Sequence, residues 1–193
     1  MILPTNLLAT LREVADQARD AFAARTGICV LHDRLKHPGV PGVVTLAVPG
    51  YRQVESYTCG FVAGLMVLHT FHPDADIDAF FHRVRPTRRH GASTRKVADA
   101  LRRSGVGVSI RKRLGFREIR REIDAGFPIL TCLKTGDEDV EHWVVIYGYG
   151  LKPNRLFIAG NGLPFFDARE ISWETYLKTA GSGRAGLVCW GKG

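Results

Sequence analysis

No stretch of this 193-residue chain carries the ~20 consecutive apolar residues that a membrane-crossing helix needs. Its N-terminus, from Met1 to Leu8, lacks a positive region followed by a long apolar run, so no secretory signal is expected and the cytoplasm is the expected compartment. Cysteine is scarce. Four thiols (Cys29, Cys59, Cys132 and Cys189) stand far apart with no CxxC pair, too few for a disulfide scaffold in a chain of this length. Acidic residues are scarce in one place: between Arg83 and Arg121, only Asp99 and Glu118 face fourteen lysines and arginines. That segment outweighs the whole chain's net charge of +8, so the remainder is net acidic. Internal repeats and low-complexity tracts are absent. What remains is 45% hydrophobic and 24% charged, the composition of one globular domain long enough to bury a core.

Hydrophobic spacing from Leu7 to Phe22 predicts an amphipathic helix over 6–24, ended by Thr26-Gly27. A Pro/Gly-rich connector over 36–42 follows, then a strand over Gly42–Val48, with Pro49-Gly50 turning the chain toward Gln53. From Thr58 to about Phe71 the sequence is apolar on most sides, the pattern of a buried central helix. Helices are expected at Asp76–Arg83 and Thr94–Ser104, the second capped by Ser93 or Thr94 and ended by Gly105. Strands then dominate: Val106–Ile110, Ile129–Leu133, His142–Tyr149, Leu156–Ala159 and Gly186–Trp190, with helices over Phe116–Asp124 and around Trp173–Lys178. Helices first and a mostly antiparallel sheet afterwards give an α+β domain.

The chemistry begins at Gln53, six residues ahead of the pair Cys59-Gly60. Cys59 opens the apolar helix, where unpaired backbone N–H groups and the helix dipole favour a thiolate and lower its pKa from about 8.5. A side-chain N–H of Gln53 then suits the oxyanion formed when Cys59 attacks a carbonyl. Cys132 and Cys189 lie in apolar runs and read as small buried hydrophobes. A thiol nucleophile needs a base, and His142 is the candidate, opening the run His142-Trp143-Val144-Val145 after a polar loop that ends in Glu141. The base needs an acceptor to fix its tautomer. Asn161, after the strand that follows, is the candidate, with Asp167 as the fallback further along a loop. No metal or cofactor is expected. Cys29-x2-His32 and His69-x2-His72 have ligand-like spacings, but neither pair has a partner pair to complete a cluster.

Gln-x5-Cys-Gly on a helix, Gly-x-Pro before a strand, His-Trp-Val-Val, and a short strand ending in Asn-Gly together resemble the papain-like cysteine peptidases. The pattern is most similar to the bacterial double-glycine leader peptidases of bacteriocin exporters and their free-standing relatives, over about residues 43–165. The resemblance implies a papain-like fold with the nucleophile helix packed on the sheet. It also implies Gln53 in the oxyanion hole, Cys59 as nucleophile, His142 as base and Asn161 as orienter. Those peptidases usually carry Asp followed by Pro where this chain has Asn161-Gly162, and asparagine is the papain choice.

The expectation is therefore a single peptidase domain over 1–193, with 1–40 as an N-terminal helical extension. It hydrolyses a peptide or isopeptide amide through an acyl-enzyme. An acyltransferase or peptide ligase would use the same residues. A non-catalytic module would bind peptide or nucleic acid through the basic segment 83–121, and salt dependence separates that class. The segment reads best as a solvated arginine-rich face open to an acidic partner, rather than as a nucleic-acid tract.

Overall fold

A computed structural model describes residues 28–35, 40–53, 55–135, 140–160, 167–180 and 182–192. The apolar run after Gln53 forms helix α1 (Cys59–Phe71), buried from Cys59 to His69, as a helix without a polar face must be. Two amphipathic helices cover it. In α2 (Ile77–Val84), the Asp76 side chain accepts from the Ala79 N–H at 2.6 Å. In α3 (Thr94–Arg103), Ser93 caps in the same way, and Gly105 at φ +88° turns the chain out of the helix.

The strands β2 (Val43–Thr45), β4 (Val106–Arg111), β5 (Ile129–Thr135), β6 (Val140–Gly150), β7 (Arg155–Gly160), β8 (Asp167–Ser172) and β9 (Gly186–Gly191) form one sheet. Its order is β4-β9-β5-β6-β7-β8, with β2 also against β6, and every described pairing is antiparallel. Helices α4 (Phe116–Asp124) and α5 (Trp173–Thr179) complete the order. Alternation along β6 sorts the core into two layers. Trp143, Val145 and Tyr147 pack with α1, α2 and α3, while Val144 and Ile146 join Ile119 and Ile123 of α4 and Tyr176 of α5. The expected α+β architecture, with the Cys59 helix packed on a mostly antiparallel sheet, is what the chain adopts.

Several boundaries differ from the sequence expectation. The helix expected over 6–24 lies outside the described residues. Residues 28–35 of the expected helical extension form strand β1 (Ile28–Leu35), paired with β3 (Val48–Gln53). Pro49-Gly50 does not turn the chain but runs inside β3. Proline is tolerated there because the β1–β3 ladder is irregular between the His32 and Leu35 pairings, where Pro49 falls. The segment after residue 166 was expected as loop, but Asp167 opens β8, an edge strand whose exposed Arg169 and Glu170 hide its alternation.

Among the described residues, no helix is long and apolar enough to cross a membrane, and no cluster of potential metal ligands occurs. His69 uses both ring nitrogens structurally: Nε2 donates to the Ala75 carbonyl at 2.9 Å, and Nδ1 accepts from the Tyr51 hydroxyl. Burial holds its pKa below the ordinary value, which suits this neutral tautomer.

Candidate active site

The loop between β3 and α1 is tied down by its own polar groups. Gln53, fully buried, donates its side-chain amide to the carbonyls of Glu55 at 2.6 Å and Ser56 at 2.9 Å. The Glu55 carbonyl also accepts from the Thr58 hydroxyl at 2.7 Å and the Thr58 N–H at 3.0 Å. Thr58 therefore turns its hydroxyl away from the helix it precedes, leaving the first turn of α1 without a side-chain cap. The free N–H groups at such a helix start are where negative charge is best received.

Cys59 sits at that start, 8% exposed. Main-chain N–H groups of Trp143, Gly60 and Cys59 itself lie close enough to its sulfur to favour the thiolate. The Trp143 N–H belongs to the peptide unit joining it to His142, so that unit lies against the Cys59 sulfur. The expected lowering of the thiol pKa does not hold for Cys59 in this state. Burial raises it above the ordinary value, and the three N–H groups offset that only in part. Gly60 follows in a tight place: a Cβ there would lie 3.0 Å from the Trp143 ring and 3.1 Å from Ala92 Cβ, so a larger residue would require the ring or Ala92 to give way.

Cys59 opens into a cleft of about 530 Å³. Cys132 and Trp143 line it with Cys59, a second group comes from Tyr57 and the segment Arg88–Thr94, and Glu141 completes it. Trp143 ties these parts together. Its ring lies on Gly60, and its indole N–H donates to the Ala92 carbonyl at 3.1 Å. Trp143→Phe keeps most of the packing but orphans that carbonyl, so a loss of about 1 kcal/mol is expected in urea denaturation. A stability equal to the parent would show that the bond adds nothing.

The structure brings the expected site residues together unevenly. Gln53 and Cys59 bracket one short loop, but the Gln53 amide is already engaged with that loop's carbonyls. His142 is half-buried between Glu141 and Trp143. Among the described residues, it is those two neighbours that line the cleft, not the His142 side chain. Asn161 lies outside the described residues. The chain leading to it arrives nearby: β7 runs antiparallel to β6 and ends at Gly160, which packs on Val144 and pairs with Asp167.

Three features escaped the sequence reading. Cys132 is half-buried, packing against the α1-side core and also lining the cleft, because its strand position opposite Trp143 puts it on the α1 side of the sheet. Burial pushes its thiol well above the ordinary range, so it is a poor nucleophile. The segment Arg88–Thr94 lines the site although it lies some thirty residues from Cys59 in sequence. Arg111, Lys112 and Arg121, from the same basic stretch, line a different cavity. Proximity of this kind has no local signal in the chain.

The Peptidase_C39 like family model matches residues 45–178, which include Gln53, Cys59, His142 and Asn161. No curated protein sequence matches the chain. Among solved structures, the chain is similar to a double glycine motif protease from an AMS/PCAT transporter in complex with the leader peptide. The identity is 19% and the TM-score 0.60, over 82% of this chain and all of that one. The peptidase domain of Streptococcus ComA, a bifunctional ABC transporter involved in a quorum-sensing pathway, gives 15% identity and a TM-score of 0.59. That match covers 77% of this chain and 98% of that one. At such identities the structural likeness speaks to the fold, and the family match, over most of the chain, to kinship. The chain belongs to the Peptidase_C39 like family and is a cysteine-type peptidase of papain-like fold.

Proposed function

We propose that the protein hydrolyses an amide bond in a peptide or protein substrate, with Cys59 as nucleophile, His142 as base and Asn161 as orienter. One observation carries the reading: Cys59, at the uncapped start of a buried helix, opens into a cleft with the His142–Trp143 peptide unit against its sulfur. The leader peptide bound to the AMS/PCAT protease supports a peptide as the occupant of such a cleft.

In the proposed reaction the Cys59 thiol gives its proton to His142, and the thiolate attacks the scissile carbonyl. The first N–H groups of α1 receive the oxyanion, joined by Gln53 when its amide exchanges the Ser56 carbonyl for the substrate oxygen. His142 then protonates the leaving amine as the C–N bond breaks. Water, deprotonated by His142, attacks the thioester and releases the acid, and the thiol is restored.

Burial alone keeps Cys59 protonated, so the imidazolium is what makes a thiolate available near neutrality. This gives a pH signature. Iodoacetamide labelling of Cys59, followed by site-resolved mass spectrometry, is expected to persist to mildly acidic pH in the wild type. In His142→Ala, where an isolated thiol with a raised pKa remains, the rate is expected to fall about tenfold per pH unit below that pKa. Identical profiles for the two proteins, or equal labelling of Cys29 and Cys59, would exclude the pair.

A further inference from the structure

We propose that the Cys59 cleft selects substrates with a carboxylate side chain close to the bond that is cut, and that Arg88 and Arg89 read it. The inference rests on the peptidase reading and adds a substrate class to it.

Arg88 and Arg89 stand at the tip of a tight turn. Its base is closed by two main-chain bonds, Thr87 N–H to the Gly91 carbonyl at 3.0 Å and Gly91 N–H to the Thr87 carbonyl at 2.7 Å. One residue further on, the Trp143 indole holds Ala92 over the nucleophile. The backbone that presents both guanidinium groups is thus fixed to the same tryptophan that packs on Gly60. Arg88 lies over the Tyr57 ring, 5.9 Å from its centroid, and Tyr57 lines the cleft as well.

Both arginines line the cleft, and neither has a carboxylate partner among the described residues. Other basic side chains nearby are already used: Arg95 faces Asp99 at 3.8 Å, and Lys96 reaches the Arg85 carbonyl. Glu141, the acid lining the cleft, stands directly across from Lys134 in the β5–β6 register, so a cation faces it from the next strand. Arg88 and Arg89 thus set two positive charges on this wall of the cleft, with no carboxylate among the described residues paired to either. A planar guanidinium fork matches a carboxylate in two parallel N–H···O bonds, a geometry a neutral side chain does not offer. A nucleic-acid backbone is the less fitting ligand, because the basic stretch is divided: Arg88 and Arg89 serve this cleft, and Arg111, Lys112 and Arg121 another cavity.

The test uses the full chain and its R88E/R89E and R88Q/R89Q variants. Cys59 is modified with an anionic and a cationic methanethiosulfonate, the 2-sulfonatoethyl and 2-trimethylammonioethyl reagents, and its rates are read by site-resolved mass spectrometry. Both reagents meet the same thiolate, so their rate ratio, divided by the ratio a small free thiol gives in the same buffer, reports the local field and not the thiol pKa. At low salt this normalised ratio is expected to favour the anion about tenfold in the wild type, with the order reversed in R88E/R89E and both normalised ratios near unity at 1 M salt. The glutamine variant should fall between them. A ratio that the substitutions leave unchanged would overturn the proposal.

A second arm compares quenched peptide sets carrying Glu, Gln or Lys at each position flanking the cut. Preference for Glu in the wild type and for Lys in R88E/R89E supports the inference. Equal cleavage of the Glu and Gln sets sinks it while the peptidase reading stands. If the reagent ratio inverts and no peptide is cut, the positive field stands and the peptidase reading falls. Protection of Cys59 by a single-stranded oligonucleotide, but not by glutamate-containing peptides, would overturn it in favour of nucleic acid.

Discussion

Cys59→Ala is expected to lower kcat/KM for peptide hydrolysis by ~10⁴-fold or more, because removal of a nucleophile leaves only binding and oxyanion stabilisation. Cys59 is small, and its sulfur lies by main-chain N–H groups of its own helix and of Trp143, so the fold should survive the change. Far-UV circular dichroism matching the parent, together with lost turnover of quenched peptides, would separate a chemical role from a packing role. His142→Ala is expected to lose activity to a similar degree without the same labelling behaviour. Cys59 remains present in that variant, but its thiol keeps the raised pKa that burial imposes. The two substitutions together should cost little more than either alone, since residues acting as one unit are not additive. Retention of a tenth or more of parental activity in Cys59→Ala would remove the nucleophile assignment outright. Cys132 does not provide a substitute, because burial holds its thiol even more firmly protonated.

The second large effect is on stability. Phe61, two residues after Cys59 and fully buried, packs against Phe80 at 5.9 Å and edge-on against Phe81 at 4.9 Å between ring centroids. Phe61→Ala leaves a cavity between α1 and α2, expected to cost about 3–5 kcal/mol. That is a large part of the ~5–15 kcal/mol by which a domain of this kind is stable. Urea denaturation should show a lower midpoint with an unchanged slope, and a loss below about 1 kcal/mol would mean that the site collapses around the missing ring. The consequence reaches function, because α1 carries Cys59 at its start and its seat on the sheet sets where the sulfur lies relative to Trp143.

Much of this was legible along the chain. An apolar run with no polar face has to be an enclosed helix, and α1 is one. The Ser93 cap and the Gly105 turn were readable because capping is a local matter of one side chain and a few N–H groups, whereas Asp76, expected as the first helical residue, is the cap. The order Gln53, Cys59, His142, Asn161 carried the family, since each motif includes the backbone punctuation its chemistry needs. Strand β8 escaped because charged residues on an exposed edge blur the period of two, and β3 was misread because proline marks a turn unless a ladder is irregular at that point.

The sequence by itself determined the buried Cys59 helix, the α+β order and the kinship, which rest on local periodicity and on the order of short motifs along the chain. Tertiary structure alone decided the rest. It raised the Cys59 pKa, because desolvation depends on what the sheet and the Arg88–Thr94 turn lay over the sulfur, and no local N–H count contains that. It turned Cys132 toward the cleft through a strand register, and it parted one run of basic residues between two cavities. Burial and register are properties of the packed whole, and no local stretch of sequence contains them.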